Sequence, residues 1–195
     1  TSPDAPLSYK GVVFNEMKGA YSSPDALLAE KCQHLLFPDN TYGFDSGGDP
    51  QVIPDLTYEQ FIDFHRTYYH PSNARIFFYG DDPAEERLRM LNQWLENFDT
   101  QTVNSTVAVQ SIIPSPRTVT LPYTASPGDE AARYFVTVNW LLAEKNDPVT
   151  NLAMNILGHI LLGTPASPLR KALIDSGLGE DITGRGLATE LRQMY

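Results

Sequence analysis

Glu16 is the residue of this chain whose type and setting point most directly to chemistry. It lies in Gly11-Val-Val-Phe-Asn-Glu-Met-Lys-Gly-Ala-Tyr21, where a helical period puts Val12, Val13, Glu16 and Ala20 on one face. A face that buries the valines carries the carboxylate inward, and an ionised carboxylate buried alone is strongly destabilising. Such a group needs a cation. A metal ion would serve, and so would Lys10 or Lys18 swinging over; the spacing leaves both open. The four histidines, His34, His65, His70 and His159, offer little help. His65 and His70 are five apart, on different faces of a helix that Pro71 ends. His34 and His159 stand without partners at ligand spacing and read as ordinary histidines near helix ends.

Other chemistries fit poorly. The single cysteine, Cys32, excludes an internal disulfide and a cysteine-based zinc site, and it shares a helical face with Leu28, Leu35 and Leu36, which predicts a core position. Asp45, Asp49 and Asp55 sit in a glycine-rich loop but lack the alternate-residue pattern and terminal Glu of a calcium loop. Asp45-Ser-Gly-Gly-Asp49 has no Gly-Lys-Ser/Thr ending, so it is no phosphate-binding loop. No G-x-S-x-G elbow occurs, and Ser167, before Pro168, reads as a helix cap rather than a nucleophile. Asn104-Ser-Thr106 is a formal glycosylation sequon.

The elements that must position these residues fall into two modules of similar grammar. After the Glu16 helix, Ser23-Pro24-Asp25 opens a second helix that Pro38 closes. Residues 37–56 form a loop rich in Gly and Pro. Thr57-Tyr-Glu-Gln60 is a capping box that starts a helix, residues 74–79 read as a strand, and Asp82-Pro-Ala-Glu85 caps a helix striped with Leu88, Leu91, Leu95 and Phe98. Residues 99–116 turn to Thr, Ser, Val, Gln and Pro without a helical stripe, the composition of a linker. Beyond it, residues 117–121 and 133–142 read as strands, Asp147-Pro148 caps a long apolar helix, Ser167-Pro168 caps a short one, and residues 180–187 form a glycine-punctuated strand or turn. The expected fold class is α+β, with helices covering one face of a sheet. The expected domains are 1–98, the linker 99–116, and 117–195.

A length of 195 residues with 42% hydrophobic and 19% charged side chains suits one large or two small globular domains. The net charge of −10 and the lack of a basic run argue against nucleic acid as a partner. The longest apolar stretch, residues 152–162, is interrupted by Asn155 and His159 and is too short to cross a bilayer, so no membrane partner is expected. The chain opens on Thr-Ser-Pro-Asp and stops at Gln193-Met-Tyr195 with no signal core, transit segment or closing element, which predicts an internal piece of a longer protein.

Four blocks carry a family resemblance. Tyr9-Lys-Gly-Val-Val-Phe-Asn-Glu-Met-Lys-Gly-Ala-Tyr-Ser22, Asn40-Thr-Tyr-Gly-Phe-Asp-Ser-Gly-Gly-Asp-Pro50, Phe64-His-Arg-Thr-Tyr-Tyr-His-Pro-Ser-Asn-Ala-Arg-Ile-Phe-Phe-Tyr-Gly-Asp81 and Gly163-Thr-Pro-Ala-Ser-Pro-Leu-Arg170 resemble, in the same order, blocks of the pitrilysin-type zinc metallopeptidases. The branch they resemble is that of the presequence proteases and falcilysin. The resemblance implies that the chain holds the end of one pitrilysin-like α+β sandwich domain and the start of the next. It also implies that Glu16 is the third Zn2+ ligand, acting with two histidines of an H-x-x-E-H motif whose Glu is the general base. None of the four histidines begins such a motif. The resemblance therefore implies a piece that is inactive alone and completed by the remaining N- and C-terminal parts of the same enzyme. Its implied substrates are unstructured peptides, such as cleaved targeting presequences, in the mitochondrial matrix or chloroplast stroma. Some relatives keep the fold without the metal site, so a structural or peptide-binding subunit is the alternative.

Overall fold

A computed structural model describes residues 8–124, 134–179, 182 and 186–195. The described chain divides into two compact units. One is built on Asp49–Thr106; the other joins Lys10–Gly48 to Val107–Tyr195.

Local signals account for most helix boundaries. In the first unit, α3 (Tyr58–Tyr68) starts at Thr57, whose hydroxyl accepts from the Gln60 N–H while the Gln60 side chain accepts from the Thr57 N–H. This is the expected capping box. A short 3-10 turn, Pro71–Asn73, follows, and the chain later returns to it: the Gln101 N–H donates to Ser72 Oγ at 3.1 Å and Ser105 Oγ donates to Asn73 Oδ1 at 2.6 Å. Helix α4 (Ala84–Leu95) follows Pro83 without a side-chain cap. Asp82, expected to cap it, instead grips Arg87, which also donates to the Gly80 carbonyl at 3.1 Å and lies 5.3 Å from the Phe78 ring centroid. The guanidinium offers a bidentate, charge-assisted pair that a single backbone N–H does not match.

In the second unit, α1 (Val12–Ala20) and α2 (Pro24–Leu36) are joined by Tyr21–Ser23, with Ser23 accepting from the Ala26 N–H at 3.4 Å. Helix α5 (Pro148–Leu162) is capped by Asp147, whose carboxylate accepts from the Val149 and Thr150 N–H groups at 3.1 and 3.0 Å. Helix α6 (Pro168–Asp175) packs against α5. Ser167 leaves its expected capping role: its buried hydroxyl accepts from the Thr164 N–H at 3.1 Å and donates to the His159 carbonyl at 3.3 Å. Since α6 begins with Pro168, one N–H that a cap would satisfy is absent.

The core of this unit forms where α2 ends. Phe37 is wholly buried and Leu36 and Met194 nearly so; Phe37 meets the rings of Tyr42 and Tyr195 edge-on at 5.7 and 5.6 Å. Burying a side chain of this size contributes about 2–3 kcal/mol. Around it runs a short antiparallel pairing, with Glu144 bridged to Gln193, the Leu142 N–H donating to Met194 and the Lys145 N–H to Arg192, both at 2.8 Å.

Among the described residues this bridge is the one sheet element, and the rest of the regular structure is helical. Of the segments expected as strands, residues 74–79, 117–121 and 134–141 run without ladder partners among the described residues, and Leu142 alone reaches the pairing at Met194. Residue 133 and the Gly128 loop lie outside the described residues, as does most of the expected 180–187 element. A strand is stabilised by the neighbour it pairs with, so β propensity alone does not close a ladder. Large apolar side chains accordingly stand in solvent, Phe77 at 87%, Tyr79 at 95% and Val136 at 86% exposure.

Two outcomes follow for the helix starts. Thr57→Ala removes half of the capping box and destabilises the first turn of α3 by about 1 kcal/mol, read as faster amide exchange there, with Thr57→Ser restoring protection. The Thr150 hydroxyl, then the Thr150 and Val149 N–H groups, hold the Asp147 carboxyl below its ordinary value of 3.8. A lowered folded pKa stabilises the cap above that ordinary value and the contribution is lost as pH falls through the folded one. Thr150→Val should raise the Asp147 pKa towards 3.8, measured by NMR titration of the carboxyl carbon.

Candidate functional site

Glu16 lies midway along α1, a nine-residue helix with no side-chain cap at Gly11 and Lys18 in its last turn. The helix turns inward along Phe14, Met17 and Tyr21, which are half-buried, and leaves Val12, Val13, Glu16 and Ala20 exposed. The expected inward face is thus the outward one. Both sets satisfy a helical period, and the longer Phe14, Met17 and Tyr21 side chains remove more apolar surface. Burial therefore places no demand for a cation on Glu16. Among the described residues no cation pairs with it either.

The loop after α2 is built around close backbone approaches. Gln33 Nε2 donates to the Tyr42 carbonyl at 2.7 Å, and His34 Nδ1 lies 3.0 Å from the Gly43 carbonyl, to which it donates. Gly43, in the 3-10 turn Thr41–Gly43, is buried against α2, and a Cβ there would overlap the Phe37 carbonyl oxygen. At the far end of the loop the Met17 thioether occupies the space that a Cβ on Gly47 would take. The loop thus connects the end of α2 with the inward face of α1. Asp45 and Asp49 lock its turns, accepting from the Gly47 and Gln51 N–H groups at 2.8 Å each. This is how Asp stabilises a turn locally.

The start of the loop is fastened by a polar cluster that sequence patterns did not single out. Gln110, buried, accepts from the Asp39 N–H at 2.9 Å and donates to the Asp39 carboxylate at 2.5 Å; its own N–H donates to the buried Gln193 side chain at 2.6 Å. Asn40 donates to the Ala108 carbonyl at 3.0 Å and accepts from the Tyr42 N–H at 3.0 Å. Residues 108–110 fall in the stretch read as a linker, where nothing local announces a partner 71 positions away.

The histidines are engaged elsewhere. His65 stacks on Tyr69 with centroids 4.9 Å apart, and His70 accepts from the Ser72 N–H at 3.2 Å and meets Phe98 edge-on. Cys32 is half-buried rather than core, its sulfur 3.3 Å from Thr137 Oγ1 and within 3.5 Å of Asn139 Nδ2. In the first unit an open groove of about 450 Å³ is lined by Tyr68, Tyr69, His70, Trp94, Leu95 and Phe98, without a carboxylate or ammonium group. Among the described residues no three His, Cys, Asp or Glu side chains come together to hold a metal ion. The Glu16 carboxylate fits zinc as one hard oxygen donor; a complete ligand set requires donors beyond the described residues. No helix among the described residues is long and apolar enough to cross a membrane.

Comparison with known proteins identifies the class. Residues 55–193 match the family described as the Peptidase M16 inactive domain, and the chain belongs to the M16 peptidases, as its resemblance to the pitrilysin type implies. Glu16 lies ahead of the matched residues. Presequence protease 1, chloroplastic/mitochondrial, of Arabidopsis thaliana is 52% identical over 195 residues, 98% of this chain and 18% of that protein. Protein HypA of Clostridium perfringens is 41% identical over 180 residues, 91% of this chain and 18% of that protein. The mitochondrial presequence protease of Mus musculus is 40% identical over 184 residues, 93% of this chain and 18% of its own length. The chain spans about 18% of the length of these relatives.

The loop generates a direct test. Gly43→Ala forces a methyl group against the Phe37 carbonyl, a backbone atom that cannot swing aside, and should cost about 1–3 kcal/mol. Limited proteolysis within residues 40–48 should accelerate, whereas Gly47→Ala, which meets the end of the flexible Met17 side chain and makes an ordinary contact with Asp45 Oδ1, should leave it nearly unchanged.

Proposed function

We propose that this chain is part of a zinc metalloendopeptidase that degrades unstructured peptides, among them cleaved targeting presequences, in the mitochondrial matrix or chloroplast stroma. The 52% identity to a chloroplastic/mitochondrial presequence protease over 98% of the chain carries this reading. In it, Glu16 supplies one zinc ligand from α1 and the remaining ligands come from another part of the longer protein. Bound zinc would polarise a peptide carbonyl and activate water. In this reading the chain holds the Glu16 carboxylate on an exposed face of α1, where among the described residues no ion pair occupies it.

The same reading extends to the fold. Residues 1–98 belong to the end of the first α+β sandwich domain, 99–116 to a linker, and 117–195 to the start of the second, with residues 74–79, 117–121 and 134–142 becoming strands once neighbouring strands are present. The exposed Phe77, Tyr79, Val136 and Trp140 side chains support this, because such rows are stable when covered. The remaining N- and C-terminal parts of the enzyme are the proposed partners. A non-catalytic, peptide-binding role is the second reading, favoured by the description of the matched family as an inactive domain.

Glu16→Gln in the longer protein keeps the side-chain volume but removes the charge, and should lower zinc content and peptide hydrolysis together. Native zinc content with native turnover would remove Glu16 from the site. The 195 residues alone should show no zinc-dependent peptide hydrolysis.

A further inference from the structure

The backbone around Tyr195 is paired on both edges, and that pairing sets a register. On one edge the Tyr195 N–H donates to the Ala188 carbonyl at 3.2 Å and the Ala188 N–H donates back at 2.8 Å, a reciprocal pair of the antiparallel kind. On the other edge residues 192–194 pair with 142–145, and Arg192 Nε meets Glu144 Oε1 at 2.6 Å. Here the Leu142 N–H donates to the Met194 carbonyl and the Met194 N–H to the Ala143 carbonyl at 3.2 Å. Two residues face one, as in a bulge, so the register before the bulge counts from Leu142 opposite Met194. Each step back from Leu142 then meets a step forward from Met194. Leu141 falls opposite Tyr195, and residues 134–140 face positions beyond it.

The side chains agree with this register. Thr137 and Asn139 turn to Cys32 on α2, while Tyr134, Val136, Val138 and Trp140 are exposed. Opposite Leu141, Tyr195 belongs on the α2 side, where its ring meets Phe37 at the end of α2. With this pleat Trp140, Val138 and Val136 send their N–H and C=O groups to the edge at which Leu142 meets Met194.

We propose that this edge is completed by the segment following Tyr195 in the longer protein, antiparallel to 134–141, with its first, third and fifth residues opposite Trp140, Val138 and Val136. The inference rests on the reading of the chain as part of a longer protein, as its 18% coverage of a presequence protease supports. A strand from elsewhere would have to be closed into place across a loop. This one continues a pairing already begun, so each new pair orders only the next residue.

The test uses the longer protein with Cys32→Ser throughout, which removes the thiol beside the strand. Val138→Cys is combined in turn with a cysteine at the second, third or fourth residue after Tyr195, and disulfide-linked peptides are followed by mass spectrometry during mild oxidation. Residues directly opposite have Cα atoms about 5.5 Å apart and side chains on one face, within the span of a disulfide. The second and fourth residues point to the other face. Linkage to the third residue should be at least ~tenfold faster than to either neighbour. Equal rates, or faster linkage to a neighbour, overturn the register, and no linkage at all three overturns the pairing. Amide exchange at Val138 then separates two failures. A slow amide means that another part of the longer protein covers this edge; a fast one also removes the expectation that 134–142 becomes a strand. Should Val138→Cys fail to fold, Trp140→Cys should link to the first residue after Tyr195 at least ~tenfold faster than to the second, and no such preference overturns the proposal.

Discussion

The burial of Phe37 organises everything else in its unit. Its ring sits wholly out of water against the rings of Tyr42 and Tyr195, and those partners come from the loop after α2 and from the C-terminal segment. A ring that removes this much apolar surface repays the ordering of both segments. The polar groups brought in with it have to be paired in turn. Gln110, Gln193 and Asp39 close that requirement among themselves, and Gly43 is glycine because the Phe37 carbonyl leaves no room for a methyl group.

What could be read from the sequence is what local chemistry decides. The Thr57 capping box, the Asp147 cap and the helices they start appear where the residue types place them, because a cap involves groups within four residues of each other. Residues with two suitors were harder. Asp82 exchanges an N-cap for Arg87, and Ser167 turns from α6 to the His159 carbonyl. Helix α1 offers two faces of acceptable period, and the choice falls to Met17 over Gly47 and Phe14 rather than to the valines, which reverses the argument that a buried Glu16 must find a cation. The pairing of Gln110 with Asp39 spans 71 positions in sequence and has no local signature at all.

The extended segments follow from the same physics in the opposite direction. Residues 74–79 and 134–142 have the composition of strands, but a ladder needs a neighbour, and the described residues provide one bridge, Glu144 to Gln193. Odd-numbered Thr137 and Asn139 turn to Cys32 on α2, while Val136, Val138 and Trp140 face solvent at 86%, 69% and 67% exposure. That alternation is the pleat of a strand with one side occupied. In the proposed reading, the bare side is the one that parts of a longer protein, such as the relatives of which this chain covers about 18%, would cover.

Amide hydrogen exchange tests this most directly, comparing residues 74–79, 117–121 and 134–142 in the 195-residue chain and in the longer protein. If the chain is a piece of an α+β peptidase, these amides exchange rapidly in the short chain and are slowed at least a hundredfold, by about 3 kcal/mol, when the remaining parts supply strands. Equal exchange in both, slow or fast, would contradict it.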